Sequence, residues 1–274
     1  MLLKKTTELT KKDVNEICEL FQAVFLKTMS PTDFFIKFTK NAKGYSYHSI
    51  LLNNENEIVG CYSSIPYEYN YFGNKLLFGL SVDTMIKEEY RGSLFTFKKM
   101  AQNVYEKMNK DGVSFVFGFP NDNVYQVRKK MLKWIDIGTL NYYILPLNIG
   151  SIKVKLKYFN FLSNFYASLV NSLVSEKILP YQSPVKIYKI GKKYNSDDGS
   201  EKIIKFNKGY AVYKIYNEMS VRTAYLIDVY PFEKYYLENF VRLLYKKEIE
   251  NIDIIIYVGK VPFKIRNLVK VPKI

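Results

Sequence analysis

One stretch, residues 81–134, constrains the fold of this chain more than any other: SVDTMIKEEYRGSLFTFKKMAQNVYEKMNKDGVSFVFGFPNDNVYQVRKKMLKW. Residues 76–85 carry no charge before Asp83, a pattern that predicts a strand buried on both faces. Residues 88–92 then break the run with charge and a glycine. Leu94, Phe97, Met100, Ala101, Val104, Tyr105 and Met108 follow at three- and four-residue spacing, which predicts an amphipathic helix. Asp111-Gly112 ends it before a strand over 113–119. Strand, basic turn, helix, strand is the order of an α/β crossover.

A helix N-terminus presents unpaired N–H groups and the positive end of the dipole, so the turn before it can aim both at a phosphate. Tyr90-Arg91-Gly92, placed between a buried strand and such a helix, resembles the acyl-CoA pyrophosphate loop of the GNAT acetyltransferase superfamily. In a branch found among surface-polysaccharide enzymes, the strand before the loop resembles Ser81-Val82-Asp83-Thr84-Met85. The chain after the helix there resembles the turn from Gly118-Phe119-Pro120-Asn121 to Tyr125 and the closing Trp134. The superfamily loop reads Arg-x-x-Gly-x-Gly or Ala; counting from Arg91, this chain has Leu94 and Thr96 at those places, and Lys133 stands where glycine is usual. The resemblance spans about the first 145 residues and implies a GNAT-like mixed central sheet flanked by helices. An ordinary crossover with a solvated Arg91 is the plainer reading of the loop taken alone.

The rest of the sequence narrows the chemistry. His48 is the one histidine, which leaves no pair for a two-histidine metal site and argues against a Ser-His-Asp triad. Cys18 and Cys61 fall in apolar patterns and read as small buried residues, so no metal is expected. No apolar run has spanning length and none resembles a signal peptide, so a cytoplasmic protein without a transmembrane segment is expected. The net charge of +15 would suit a polyanion, but the lysines are scattered and no DNA- or RNA-binding motif is present. Nucleic acid is therefore not the expected partner. CoA or a sugar nucleotide would benefit from the same field.

In chain order, Thr10 caps a helix with Val14, Ile17, Leu20, Phe21, Val24 and Phe25 on one face, and Pro31 opens a second helix through Phe38. Strands follow at 49–52, 58–64 and 67–71, and a strand pair is expected over 135–145. Leu156, Phe159, Leu162, Phe165, Leu169 and Leu173 predict a helix that Pro180 and Pro184 break before a strand at 185–190. A polar turn at 195–200, strands at 202–206, 209–216 and 223–229, a helix at 232–248 and a strand at 252–258 complete the chain. That order repeats the first half, which sets expected domains of 1–147, the acyl-CoA half, and 148–274, a degenerate GNAT-like half completing the substrate cleft, with an unrelated α/β appendage as the plainer reading. The turn Tyr230-Pro231-Phe232 lacks both arginine and glycine, so the second copy is not expected to take CoA.

The resemblance implies transfer of an acetyl or short acyl group from acetyl-CoA, or a related acyl-CoA, to a small-molecule amine, an amino sugar or its nucleotide by kinship. Backbone at Thr84, Met85 and Ile86 would meet the thioester and pantetheine arm. Arg91, Gly92, Ser93 and Leu94 would hold the diphosphate, with Lys98 or Lys99 near it. Asp83 is the expected base, directly or through water, or else a carboxylate that positions a loop. Tyr125 is the expected acid, with Tyr142 and Tyr143 as competitors. Asn121 and Asn123 would touch the cofactor arm, or serve as turn former and helix cap. A GNAT-like binding module without cofactor and an aminoacyl-tRNA-dependent tandem enzyme remain alternatives, and an oligomer is compatible with all three.

Overall fold

The computed structural model describes residues 1–174, 187–189, 201–218 and 220–272; the expected breaks at Pro180 and Pro184 and the turn at 195–200 lie outside them. The chain forms two compact units, one of Met1–Ile135 with the strand β7 (Ile187–Lys189), the other beginning at Asp136.

In the first unit β1 (Leu2–Lys5), β2 (Tyr47–Leu52), β3 (Ile58–Tyr71), β4 (Asn74–Ile86) and β5 (Val113–Phe117) lie in that order, antiparallel except for the parallel pair β4–β5. The parallel pair needs a crossover, which α3 (Leu94–Lys110) supplies. Strands expected separately at 58–64 and 67–71 are one. β2 pairs only as far as Ser64, so Pro66, which has no N–H to give, lies beyond that pairing. β7 pairs the far end of β3, Tyr69 to Tyr71.

Two helices cover one face. α1 (Lys11–Phe25) starts at Thr10, whose hydroxyl accepts from Asp13 N at 3.1 Å while the Asp13 carboxylate accepts from Thr10 N at 2.8 Å. α2 (Pro31–Thr39) repeats the device with Ser30 and Asp33. Their inward residues, Val14, Ile17, Leu20, Phe34 and Phe38, pack on Ile50, Cys61 and Met85. On the other face Phe97, Met100, Val104 and Met108 of α3 pack on Tyr47, Tyr62 and Val113, with α4 (Asp122–Leu132) beside them. Each such side chain contributes about 1.5–3 kcal/mol by leaving water. Leu94, expected on the inward face of α3, is exposed.

The second unit has sheet order β12 (Val269–Val271), β6 (Asn141–Pro146), β11 (Ile254–Gly259), β10 (Val221–Tyr230), β9 (Gly209–Glu218), β8 (Lys202–Phe206). Here too two strands are parallel, β10 and β11, joined by α7 (Lys234–Glu248), whose Leu237, Phe240, Val241 and Leu244 fill the core. α5 (Ile149–Ile152) and α6 (Asn160–Ser172) precede them, α6 giving Ala167 and Val170 to that core. Arg222 donates to the Asp253 carboxylate through Nε, Nη2 and its backbone N–H; against the cost of burial, these bonds hold the Asp253 carboxyl down to about 2.

The division into compact units falls between Ile135 and Asp136, where the expected boundary stood at 147/148. Residues 135–145 do not close the first sheet as a strand pair. One strand, β6, forms there, and its backbone pairs with β11 and β12 more than a hundred residues later.

Candidate functional site

The first unit holds an irregularity at the end of β4. In its register with β3, Cys61 faces Met85 and Ser63 faces Val82, so Asp83 and Thr84 together stand opposite Tyr62. This is a β-bulge, and Asp83 takes the left-handed region at φ 43°. On the other side β4 pairs with β5 only as far as Leu80 with Phe117, so β4 runs on through Ile86 beyond its parallel partner. A strand end with an edge unpaired among the described residues results.

That edge leads into the elbow. Residues Glu88–Tyr90 make one 3-10 turn, and Arg91 Nε donates to Ile86 O at 2.9 Å, tying the elbow back to the strand. Ser93 caps α3 by accepting from Phe95 N at 3.2 Å, and Thr96 N donates to Ser93 O. The N–H groups of Gly92, Ser93 and Leu94 have no partner among the described residues. A side chain at 92 would meet nothing within 4 Å among the described residues, and φ there is not in the left-handed region, so none of them requires glycine at that position. Leu94, which stands in place of a loop glycine, is exposed, as is its neighbour Phe95.

The side chains beneath the bulge form a connected group. Ser81 Oγ donates to Tyr62 Oη at 2.8 Å, Tyr62 Oη bonds Tyr105 Oη at 2.7 Å, and Trp134 Nε1 donates to Tyr105 Oη at 3.1 Å. Burial pushes both phenols up. Arg128 of α4 lies against them, its guanidinium 4.6 Å from the Trp134 ring centroid and 6.0 Å from that of Tyr62. Only 5% of Arg128 is exposed; Nη2 donates to Thr84 Oγ1 at 3.0 Å, while Nε and Nη1 have no partner among the described residues. Gly118 fits closely here, since a Cβ would press on Arg128 Nη1 at 3.0 Å, Ser81 O at 3.1 Å and the Trp134 ring at 3.1 Å. Three bonds share the four protons of Ser81, Tyr62, Tyr105 and Trp134, and Arg128 adds unpaired donors. The nook is rich in donors and short of acceptors, which suits an anionic or carbonyl-bearing guest.

The expected residues distribute as follows. The Asp83 carboxylate is ion-paired with Lys37 Nζ of α2 at 2.6 Å. Thr84 accepts from Arg128; Met85 is buried in the α1–α2 core, so only its backbone reaches the edge; Ile86 O holds Arg91. Tyr125 lies in the first turn of α4, one turn before Arg128, and its hydroxyl accepts from Lys129 Nζ at 3.3 Å. Asn121, not Asn123, caps α4, accepting from Val124 N at 3.2 Å. Asn123 is exposed, as is Lys99, while Lys98 is half-buried. Tyr142 and Tyr143 belong to β6 in the other unit. His48 is buried, bonded at 2.9 Å to both Thr6 and Ser63, and burial lowers it to about 3. Among the described residues no group of three His, Cys, Asp or Glu side chains converges. Sequence reasoning missed Arg128, because a lone arginine in the cluster Arg128-Lys129-Lys130 carries no sign that one of the three turns inward.

Residues 5–128 match the acetyltransferase (GNAT) domain family. The matched segment holds the bulged strand, the elbow, α3 and most of α4, and the two mixed sheets flanked by helices are GNAT-like. A GCN5-related N-acetyltransferase from Anabaena variabilis superposes with TM-score 0.59 at 10% identity, covering 98% of this chain and 70% of that one. A probable N-acyltransferase from Enterococcus faecalis gives 0.55 at 10% identity over 98% and 69%. Saccharomyces cerevisiae N-myristoyltransferase with bound myristoyl-CoA gives 0.53 at 12% identity over 94% and 77%. These likenesses, all well under 25% identity, establish the fold. No curated protein matches the sequence.

Proposed function

We propose that the protein is an acyl-CoA-dependent N-acyltransferase of the GNAT type, with its CoA site in the first unit. One observation carries the reading. Within a segment that matches the GNAT domain family, a bulged strand outruns its parallel partner and leads into a helix start where the N–H groups of Gly92, Ser93 and Leu94 have no partner among the described residues. Amides of Gly92, Ser93 and Leu94 take the diphosphate, with the helix dipole adding to them. The open edge at Thr84, Met85 and Ile86 takes the pantetheine arm and thioester, and Asn121 and Asn123 border it.

In the transfer itself, the acceptor nitrogen attacks the thioester carbonyl carbon; the C–N bond forms and the C–S bond breaks. Asp83, directly or through water, removes the proton from the amine, and Tyr125 supplies one to the departing sulfur. Arg128 offers its free donors to the charge that develops on oxygen or sulfur, in a site where burial strengthens such bonds. The acceptor is a small-molecule amine, and kinship of the β4 and Pro120 motifs favours an amino sugar or its nucleotide. The second unit takes no CoA.

Thermal unfolding with CoA and acetyl-CoA tests the reading. Ligand at a hundred times its dissociation constant should stabilise the first unit by about 2.7 kcal/mol. Gly92→Val, which the chain tolerates sterically, should remove the gain without lowering the melting temperature of the free protein. No stabilisation at millimolar CoA would sink the assignment.

A further inference from the structure

Residues 149–174 of the second unit turn their large apolar side chains away from the core. α6 buries Ser163, Ala167, Val170 and Asn171. The opposite stripe, continuing from the turn before the helix, holds Tyr158, Phe161, Leu162, Phe165, Leu169 and Leu173 at three- and four-residue spacing. Tyr158 is 89% exposed, Phe161 67%, Phe165 66% and Leu173 60%. The expected helix is present, but the side expected to be buried faces out, an inversion of the usual surface helix. A contiguous apolar patch of this kind marks an interaction site.

The charge beside the patch identifies what covers it. Lys153, Lys155 and Lys157 precede the helix and are all exposed, and no Asp or Glu occurs between residues 137 and 175. Aromatic and leucine side chains on one face, flanked by lysines with no acid among them, complement a layer of phosphates over acyl chains. A second copy seated face to face would set these lysines against their equivalents with no carboxylate to receive them. No helix among the described residues is long and apolar enough to cross a membrane, so α6 can only lie along a surface.

We propose that α6 is an interfacial helix that docks the protein on an anionic lipid surface. The aromatic stripe enters the acyl boundary and the three lysines meet the headgroups. This does not rest on the acyltransferase reading, since α6 lies in the unit that holds none of the proposed CoA residues.

The test is co-sedimentation of the full chain with vesicles of phosphatidylcholine containing about one-third phosphatidylglycerol, against phosphatidylcholine alone. Binding should favour the anionic vesicles at least tenfold. Each of Lys153→Gln, Lys155→Gln and Lys157→Gln should weaken it about fivefold. Phe161→Ser with Phe165→Ser should abolish it while leaving the melting temperature in place. Phe165→Trp, which keeps the face apolar, should bind normally, and brominated lipid should quench the added indole. Absence of vesicle binding, or binding that survives the double serine variant, overturns the proposal. So does concentration-dependent dimerisation that the double variant removes, which would assign the face to a second copy.

Discussion

Asp83→Asn separates the two roles open to the most strained residue of the site. Asparagine tolerates the left-handed backbone almost as well as aspartate, so the bulge survives; alanine would add about 1–2 kcal/mol of strain there and confuse the reading. What is lost in the folded state is the pair with Lys37, whose side chain is 35% exposed against 12% for Asp83. Discounted for that exposure, the pair contributes less than about 1 kcal/mol. Removal of a general base, in contrast, lowers turnover by about 10²–10⁴-fold. Thus, if Asp83 carries the proton, kcat for acyl transfer to a small amine falls at least a hundredfold while the unfolding midpoint barely moves. Lys37→Met, which leaves the carboxylate in place, should then cost far less than Asp83→Asn. Steady-state rates and Trp134 fluorescence melts on both variants supply the comparison. Equal, modest losses from the two would refute the proton-transfer role and leave Asp83 as the residue that fixes α2 against the bulge.

Arg128→Met keeps most of the side-chain volume and removes a buried cation with unpaired donors, so the first unit should melt at the same temperature or higher while transfer slows at least tenfold; a large loss of stability would contradict this. His48 has its folded value lowered to about 3 from 6.5 by burial, so the stability it permits is complete above pH 6.5 and is lost as pH falls toward 3. By pH 4 that loss amounts to about 3 kcal/mol, and urea unfolding followed by Trp134 fluorescence should show a slope that His48→Gln flattens. Gly209→Ala should destabilise the second unit by about 1–3 kcal/mol, because the new Cβ meets the Tyr230 backbone oxygen at 2.5 Å and the Tyr236 ring at 2.6 Å. Circular dichroism melts would detect it.

Features written in short-range chemistry were legible before any coordinates. Thr10 and Pro31 mark two helix starts locally, and the spacing from Phe97 to Met108 fixes the inward face of α3. The order strand, elbow, helix, strand likewise sets up the parallel pair β4–β5 and the helix N-terminus between them. Folding in three dimensions decided the rest, because it depends on groups distant in sequence. Which sheet accepts β6 is settled by backbone pairing with β11 and β12, for which residues 141–146 carry no local mark. The bulge at Asp83 exists only in register against β3, and the burial of Arg128 exists only once Trp134, Tyr62 and Gly118 close round it. In α6 the period gave the helix but not its facing. Two opposite stripes both fit a helical repeat, and the core took the one small enough to let the helix lie close, leaving Phe161 and Phe165 outside.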